Sequence, residues 1–447
     1  MIGMPGRANR RILQLIILMA CWPVIILASP GCGDSGEVSD AAETVSAQTL
    51  TSATTVTVTP TINPQTANTI ASIEQEVSGL RGLPIKADIA VYCLNRGELR
   101  LEMKKEIEQE YQAATMAYQE KILVDLGLLD PFDNLSGEIE KMLGNEVVGF
   151  YDQETKQLKL VNDKPELDLL NQVTLAHEVT HALQDQNFPL PVVIPENSGN
   201  DDRDLARLVL VEGDATLAEA QFTEANFNGM DLMTLLLGSL GAWGPSSSNA
   251  FLEDSLTFPY QKGLGFVTIL FDKGGWPAVD AAYSAPPQSS EQVIHPEKYI
   301  AGEAPLPVPA PDEAILDSFG WTKRYENVLG EFGLAEMLGV DLRLRRAENA
   351  AAGWGGDSIR YYDNSDGKSL LIMETRWDSF ADATEFASAM SDELVANKGV
   401  KFDQTWPTAP ILRTADGCWL LAQRGDRVLV VKAPDQDAAD GAMRASL

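Results

Sequence analysis

The stretch LAHEVTHALQDQ, residues 175–186, decides how this chain is read. It holds two of the three histidines in 447 residues, His177 and His181, four positions apart with Glu178 between them. An accidental H-E-x-x-H is expected in on the order of one such chain in a thousand. The spacing has a physical basis, because residues i and i+4 lie on one face of a helix and present both imidazoles to a single ion. Glu178 stands beside them, placed to work on a metal-bound water. The alternative is a pair of surface histidines on a solvated helix.

A catalytic zinc uses three protein ligands and keeps a fourth position open for water. The chain must therefore supply one ligand more. After Asn200 the acid-rich DDRD suits a helix N-terminus. Along that helix Leu205, Leu208, Val209, Glu212, Ala215 and Thr216 share one stripe, in which Glu212 alone is charged. A buried carboxylate is costly unless paired or metal-bound, which makes Glu212 the candidate third ligand; a Glu satisfied by an Arg or the backbone is the plain alternative. The next position in register, Glu219, is either where the stripe emerges into solvent or a second acid near the site. The third histidine, His295, lies in SSEQVIHPEKY, where Ser289 and Gln292 have capping-box spacing and Pro296 ends any helix at His295. It suits an oxyanion donor, the third zinc ligand in place of Glu212, or a surface imidazole. Tyr299 and Tyr260 are possible donors in its stead, or amphipathic core residues.

The flanking sequence reads as mixed α+β. ADIAVYCL (87–94) has strand composition and residues 98–129 form a long two-faced helical segment. Residues 146–163 read as two strands around a turn at Asp152 to Thr155, with Leu158 and Leu160 buried and Lys159 exposed. The motif helix spans about Leu167 to Asn187. Pro259 opens a further helix that the glycine pair Gly274–Gly275 stops. A last helical stretch covers about Tyr325 to Ala350. Beyond it the order strand, strand, helix, hairpin gives a small C-terminal α+β domain, 351–447.

Composition bounds the class. Thirty-four basic against 65 acidic residues give a net charge of −31, which argues against nucleic acid as a partner and fits a soluble exterior. Arg7, Arg10 and Arg11 precede the apolar run Ile12 to Ala28, so residues 1–31 read as a signal peptide for export. Cys32 after Pro30 and Gly31 resembles a bacterial lipoprotein signal, with Ser29 where Leu is usual. Lipidation of Cys32 would anchor the chain to a membrane; ordinary cleavage or retention as an N-terminal anchor are the other outcomes. Residues 32–69, rich in Ser, Thr and Ala, cannot bury a core and read as a flexible tether. Cys93 and Cys418 remain as either a disulfide pair or two free thiols.

HEVTH with a downstream Glu in VEGDA resembles the gluzincin type of zinc metallopeptidase, and HEVTHALQDQ, VEGDAT and SSEQVIHPEKY together resemble a family of largely uncharacterised bacterial metallopeptidases. The similarity covers roughly residues 80–330. It implies a zincin-like domain over 70–350, with a small sheet whose edge strand lies over the H-E-x-x-H helix and a mainly helical second half. It further implies Zn2+ held by His177, His181 and Glu212, Glu178 as general base for hydrolysis of a peptide or protein substrate, and Lys156 to Val161 as the edge strand. Two departures stand out. Thr216 occupies the position where thermolysin-like enzymes place an Asp that orients a zinc histidine, and Val211 the position of the aminopeptidase Asn. The orienting group is therefore open between Asp185, Asp214 and neither. A non-catalytic envelope lipoprotein using the same scaffold for binding is the competing expectation.

Overall fold

The computed structural model describes residues 63–98, 101–102, 113–139, 149–161, 166–195, 198–240, 249–403 and 409–446. The signal segment, Cys32 and the tether up to residue 62 lie outside them. Helix α1 (Pro64–Arg81) begins within the expected tether: Asn63 caps it by accepting the Thr66 N–H at 2.9 Å, Pro64 follows at the first helical position, and Ile70, Ile73 and Val77 face the core. An Asn-Pro start and three apolar residues at helical spacing suffice where polar composition hides them.

Strand β1 (Ala90–Leu94) and helix α2 (Ala113–Leu126) precede the hairpin of β2 (Gly149–Asp152) and β3 (Gln157–Val161). The sheet order is β1-β3-β2, with β1 parallel and β2 antiparallel to β3. This corrects the strand assignment: β3, which takes up Gln157 to Val161 of the expected edge, runs through the centre, and β1 and β2 form the two edges. Leu158 and Leu160 are buried as expected, but so is Lys159, because a central strand is covered on both faces and its ammonium is paired with Glu102 and with Asp152 at 3.5 Å.

Helix α3 (Leu169–Asn187) carries the motif and is capped by Asp168. The short α4 (Leu190–Val193) leads to α5 (Asp201–Asn226), capped by Asn200 with Asp201, Asp202 and Asp204 in its first turn. Then come α6 (Gly229–Leu240) and α7 (Ala250–Gly274). Pro259 lies inside α7 instead of opening it. The helix starts at the Asn249 cap, and burial of Phe258, Pro259 and Tyr260 holds the chain helical through a residue that lacks its N–H. Gly275, at φ 64°, ends it as expected. Helices α8 (Trp276–Ser284), α9 (Ser290–Ile294), α10 (Pro296–Ala301) and α11 (Glu313–Ser318) follow.

The second sheet is six-stranded and ordered β4-β5-β6-β9-β8-β7: β4 (Thr322–Asn327), β5 (Trp354–Asp363), β6 (Ser369–Trp377), β7 (Ile411–Thr414), β8 (Gly417–Arg424) and β9 (Arg427–Ala433). Its neighbouring strands are antiparallel throughout. Tyr325 thus sits in a strand, and only α12 (Gly330–Gly339) and α13 (Leu344–Ala351) fill the expected helical stretch. β4 comes from before residue 351 and completes this sheet. Side chains alternate between two buried faces. Ile359, Tyr361, Met373 and Trp419 meet α12, α13 and α14 (Phe380–Lys398), while Tyr362, Ile372 and Val431 meet α11 and α15 (Gln436–Ser446). Helix α2 also joins the first of these cores through Ile122 and Leu126. Cys93 on β1 and Cys418 on β8 are both free thiols. Among the described residues no helix is long and apolar enough to cross a membrane.

Candidate metal centre

Helix α3 is buried along nearly its whole motif. Leu175, Ala176, Val179 and Leu183 pack into the core shared with α1 and the first sheet, which turns His177 and His181 toward α5. Helix α5 meets α7 at a crossing built from Gly213 and Gly263. A Cβ on Gly213 would fall 2.2 Å from the Gly263 carbonyl oxygen, so glycine is what permits this approach. Glu212, the residue before, is thereby held against the two histidines.

The three side chains converge. His177 Nε2 is 3.1 Å from His181 Nε2, and Glu212 Oε2 is 3.3 Å and 3.4 Å from the two nitrogens. Ligand atoms at zinc bond lengths of about 2.0–2.1 Å in tetrahedral array are spaced by about 3.3 Å. All three residues are buried, and Glu212 Oε1 has no hydrogen-bond partner. A buried carboxylate with an idle oxygen beside two imidazole nitrogens fits a cation better than it fits a closed hydrogen-bond network. The donor set suits a divalent transition metal.

The surrounding contacts set the electrostatics. His177 Nδ1 is 2.9 Å from Glu219 Oε2, and His181 Nδ1 is 2.9 Å from Gln184 Oε1, whose amide donates to the Val211 carbonyl at 2.9 Å. Burial alone would lower the His177 pKa, but Glu212 and Glu219 outweigh it and push it up to about 10. The same two carboxylates create the negative potential that a cation would answer. Glu178 is fully buried and raised to about 7, chiefly by burial, while the two histidines and a backbone N–H from Tyr151 hold it back.

The other expected residues are placed elsewhere. His295, half-buried, pairs with Glu331 at 2.9 Å, which raises its pKa. Ser290, at the other end of the short α9 that His295 closes, donates its N–H to Asp202, ten residues and so about 15 Å along α5 from Glu212. The capped turn of α9 that carries His295 therefore packs at the far end of α5, and His295 is not in the converging group. The Tyr299 hydroxyl donates to the Ala285 carbonyl at 2.9 Å, and its ring packs edge-on against Phe266. Asp185 accepts from the Tyr151 hydroxyl at 2.8 Å and from Lys156, anchoring the β2–β3 hairpin to α3. Asp214 is taken by the buried Arg81 and by the Tyr283 hydroxyl at 2.7 Å. Thr216 donates back to the Glu212 carbonyl at 2.7 Å. Of the tyrosines, Tyr260 is the one beside the histidines, its ring 6.4 Å from that of His177. Gln184 and Tyr151 were not singled out from sequence. Gln184 was accessible by register, one turn beyond His181, whereas Tyr151 reaches the site only through strand pairing.

Comparison with known proteins adds little. A family model described as a domain of unknown function (DUF8575) matches residues 319–443, which span the second sheet, α12 to α14 and most of α15. No curated protein matches the chain. A solved structure described as a "putative hydrolase with a novel fold", from Chloroflexus aurantiacus, matches at 15% identity and a TM-score of 0.38, covering 56% of this chain and 92% of that one.

Proposed function

We propose that the protein is a zinc-dependent hydrolase of peptide bonds. The observation that carries the reading is the convergence of His177 Nε2, His181 Nε2 and Glu212 Oε2 at tetrahedral ligand spacing inside the core. These residues would hold the metal, which when bound supplies a Lewis acid that polarises a carbonyl and lowers the pKa of water. Glu178 is the proton carrier: a buried carboxylate next to His177 that would accept a proton from water and return it to a leaving amine. β2 pairs with β3 on one side and, through the Tyr151 N–H, touches Glu178. An extended peptide aligned along β2 would therefore run past the base. Tyr260, beside His177, takes the donor role toward the developing oxyanion that the sequence offered to His295.

The same proposal places the enzyme outside the cell membrane, exported by residues 1–31 and tethered through a lipid on Cys32. Radiolabelled fatty acid incorporated by the wild type and lost in Cys32→Ser is the expected result there.

Elemental analysis of the purified full chain tests the centre. About one zinc per chain is expected in the wild type and in Glu178→Gln, with loss in His177→Ala and Glu212→Ala. Glu178→Gln should lower hydrolysis of a peptide library by about 100-fold or more. A metal-free wild type after reconstitution refutes the zinc centre. Undiminished hydrolysis in Glu178→Gln refutes the role of the base.

A further inference from the structure

We infer that Glu219 is the positioning residue of this centre, holding the His177 ring so that Nε2 faces the metal. The inference rests on the zinc reading above and assigns what the sequence left open, namely which group orients a ligand histidine when Thr216 replaces the expected acid.

Glu212 and Glu219 are seven residues apart on α5 and so lie on one face, two turns apart. The His177 imidazole bridges them: Nε2 is 3.3 Å from Glu212 Oε2 and Nδ1 is 2.9 Å from Glu219 Oε2. One ring thus meets a carboxylate at each nitrogen, but only one of those nitrogens lies in the converging group. An imidazole that donates its Nδ1–H to a carboxylate is fixed in the tautomer with a free lone pair on Nε2, and is the more basic ligand for it. The turn between the two acids cannot provide this contact, because the Thr216 hydroxyl is bonded to the backbone of its own helix. Asp214 and Asp185 are likewise committed, to Arg81 with Tyr283 and to Tyr151 with Lys156.

His181 is held differently. Its Nδ1 meets the neutral Gln184, which also hooks the Val211 carbonyl. The two ligand histidines therefore have unlike partners, and only His177 meets a carboxylate at the nitrogen that faces away from the converging group. Loss of Glu219 should weaken the metal and free the ring, whereas a purely structural Glu219 would do neither.

The test is zinc affinity by chelator competition on the full chain, with the visible spectrum of the cobalt-substituted protein as a second readout. Wild type, Glu219→Ala, Glu219→Gln and the ligand control His181→Ala are compared. Glu219→Ala is expected to lose about 10–100-fold in zinc affinity and to shift the cobalt bands. Glu219→Gln, which keeps an acceptor oxygen but not the charge, should lose less, about tenfold at most, and decides the matter if the alanine variant does not fold. Wild-type affinity and spectrum in the Glu219 variants, with zinc lost in His181→Ala, would overturn the assignment while leaving the centre intact. A wild type that binds no zinc would remove the centre itself.

Discussion

Replacing Gly213 by Ala tests whether the α5–α7 crossing sets the geometry of the site. The added Cβ would lie 2.2 Å from the Gly263 oxygen, 2.4 Å from its carbonyl carbon and 2.7 Å from its Cα. Ordinary carbon–oxygen contacts begin near 3.3 Å, so the crossing is short by about 1 Å. All three atoms are helix backbone, and no side chain can rotate away. The helices must move apart or tilt. Overpacking of this kind costs about 1–3 kcal/mol and sometimes more, while the better helix propensity of Ala returns about 1 kcal/mol. A net loss of up to about 2 kcal/mol corresponds to a fall in melting temperature of up to about 4–8 °C. Glu212 is the adjacent residue, and a displacement approaching 1 Å exceeds the roughly 0.2 Å tolerance of a metal site. Zinc stoichiometry should drop together with the melting temperature. Gly265, two residues beyond Gly263 on α7 with open space around its missing Cβ, is the control. There Ala should stabilise by about 0.5–1 kcal/mol and leave zinc unchanged. A Gly213→Ala protein that melts at or above the wild type and holds zinc normally would refute the reasoning.

Two other outcomes follow from charge placement. Asp202 and Glu291 are raised to about 7, and Asp201 and Asp357 to about 6, all chiefly by burial. Carboxyls whose folded pKa is raised contribute stability that is complete below their unfolded values near 4 and is lost as pH rises through 6–7. The melting temperature should therefore fall by a few degrees between pH 5 and pH 8. Asp202→Asn, which keeps the acceptor for the Ser290 N–H, should flatten that slope; an unchanged slope counts against the cluster as its source. Lys298 is bonded to Glu291 at 2.6 Å, Glu303 at 2.8 Å and Asp378 at 2.6 Å. Lys298→Ala should cost about 1–3 kcal/mol, below the figure for a fully buried pair because Glu303 and Asp378 reach solvent. Since the three carboxylates lie within 4.8 Å of one another, millimolar calcium should restore stability in the variant and leave the wild type unaffected, as thermal melts would show.

The sequence alone determined what depends on local spacing. H-E-x-x-H gave two imidazoles on one helical face, the DDRD turn marked the start of α5, and the lone acid in an apolar stripe singled out Glu212. The strand, strand, helix, hairpin order of the C-terminal part was equally local, because alternation and turn residues sit close in the chain, although the four-residue β7 and the closing helix α15 were missed in it. Tertiary structure decided what depends on partners distant in sequence. Sheet order placed β2 and not β3 at the edge, since register between strands cannot be read from either strand alone. Packing carried α7 straight through Pro259 and put β4 into the second sheet. The roles of five similar acids were separated in the same way. Glu212 and Glu219 meet His177, while Asp185, Asp214 and Glu331 are claimed by Tyr151, Arg81 and His295. A carboxylate carries the same chemistry wherever it stands in a sequence, and only the group folded against it fixes what it does.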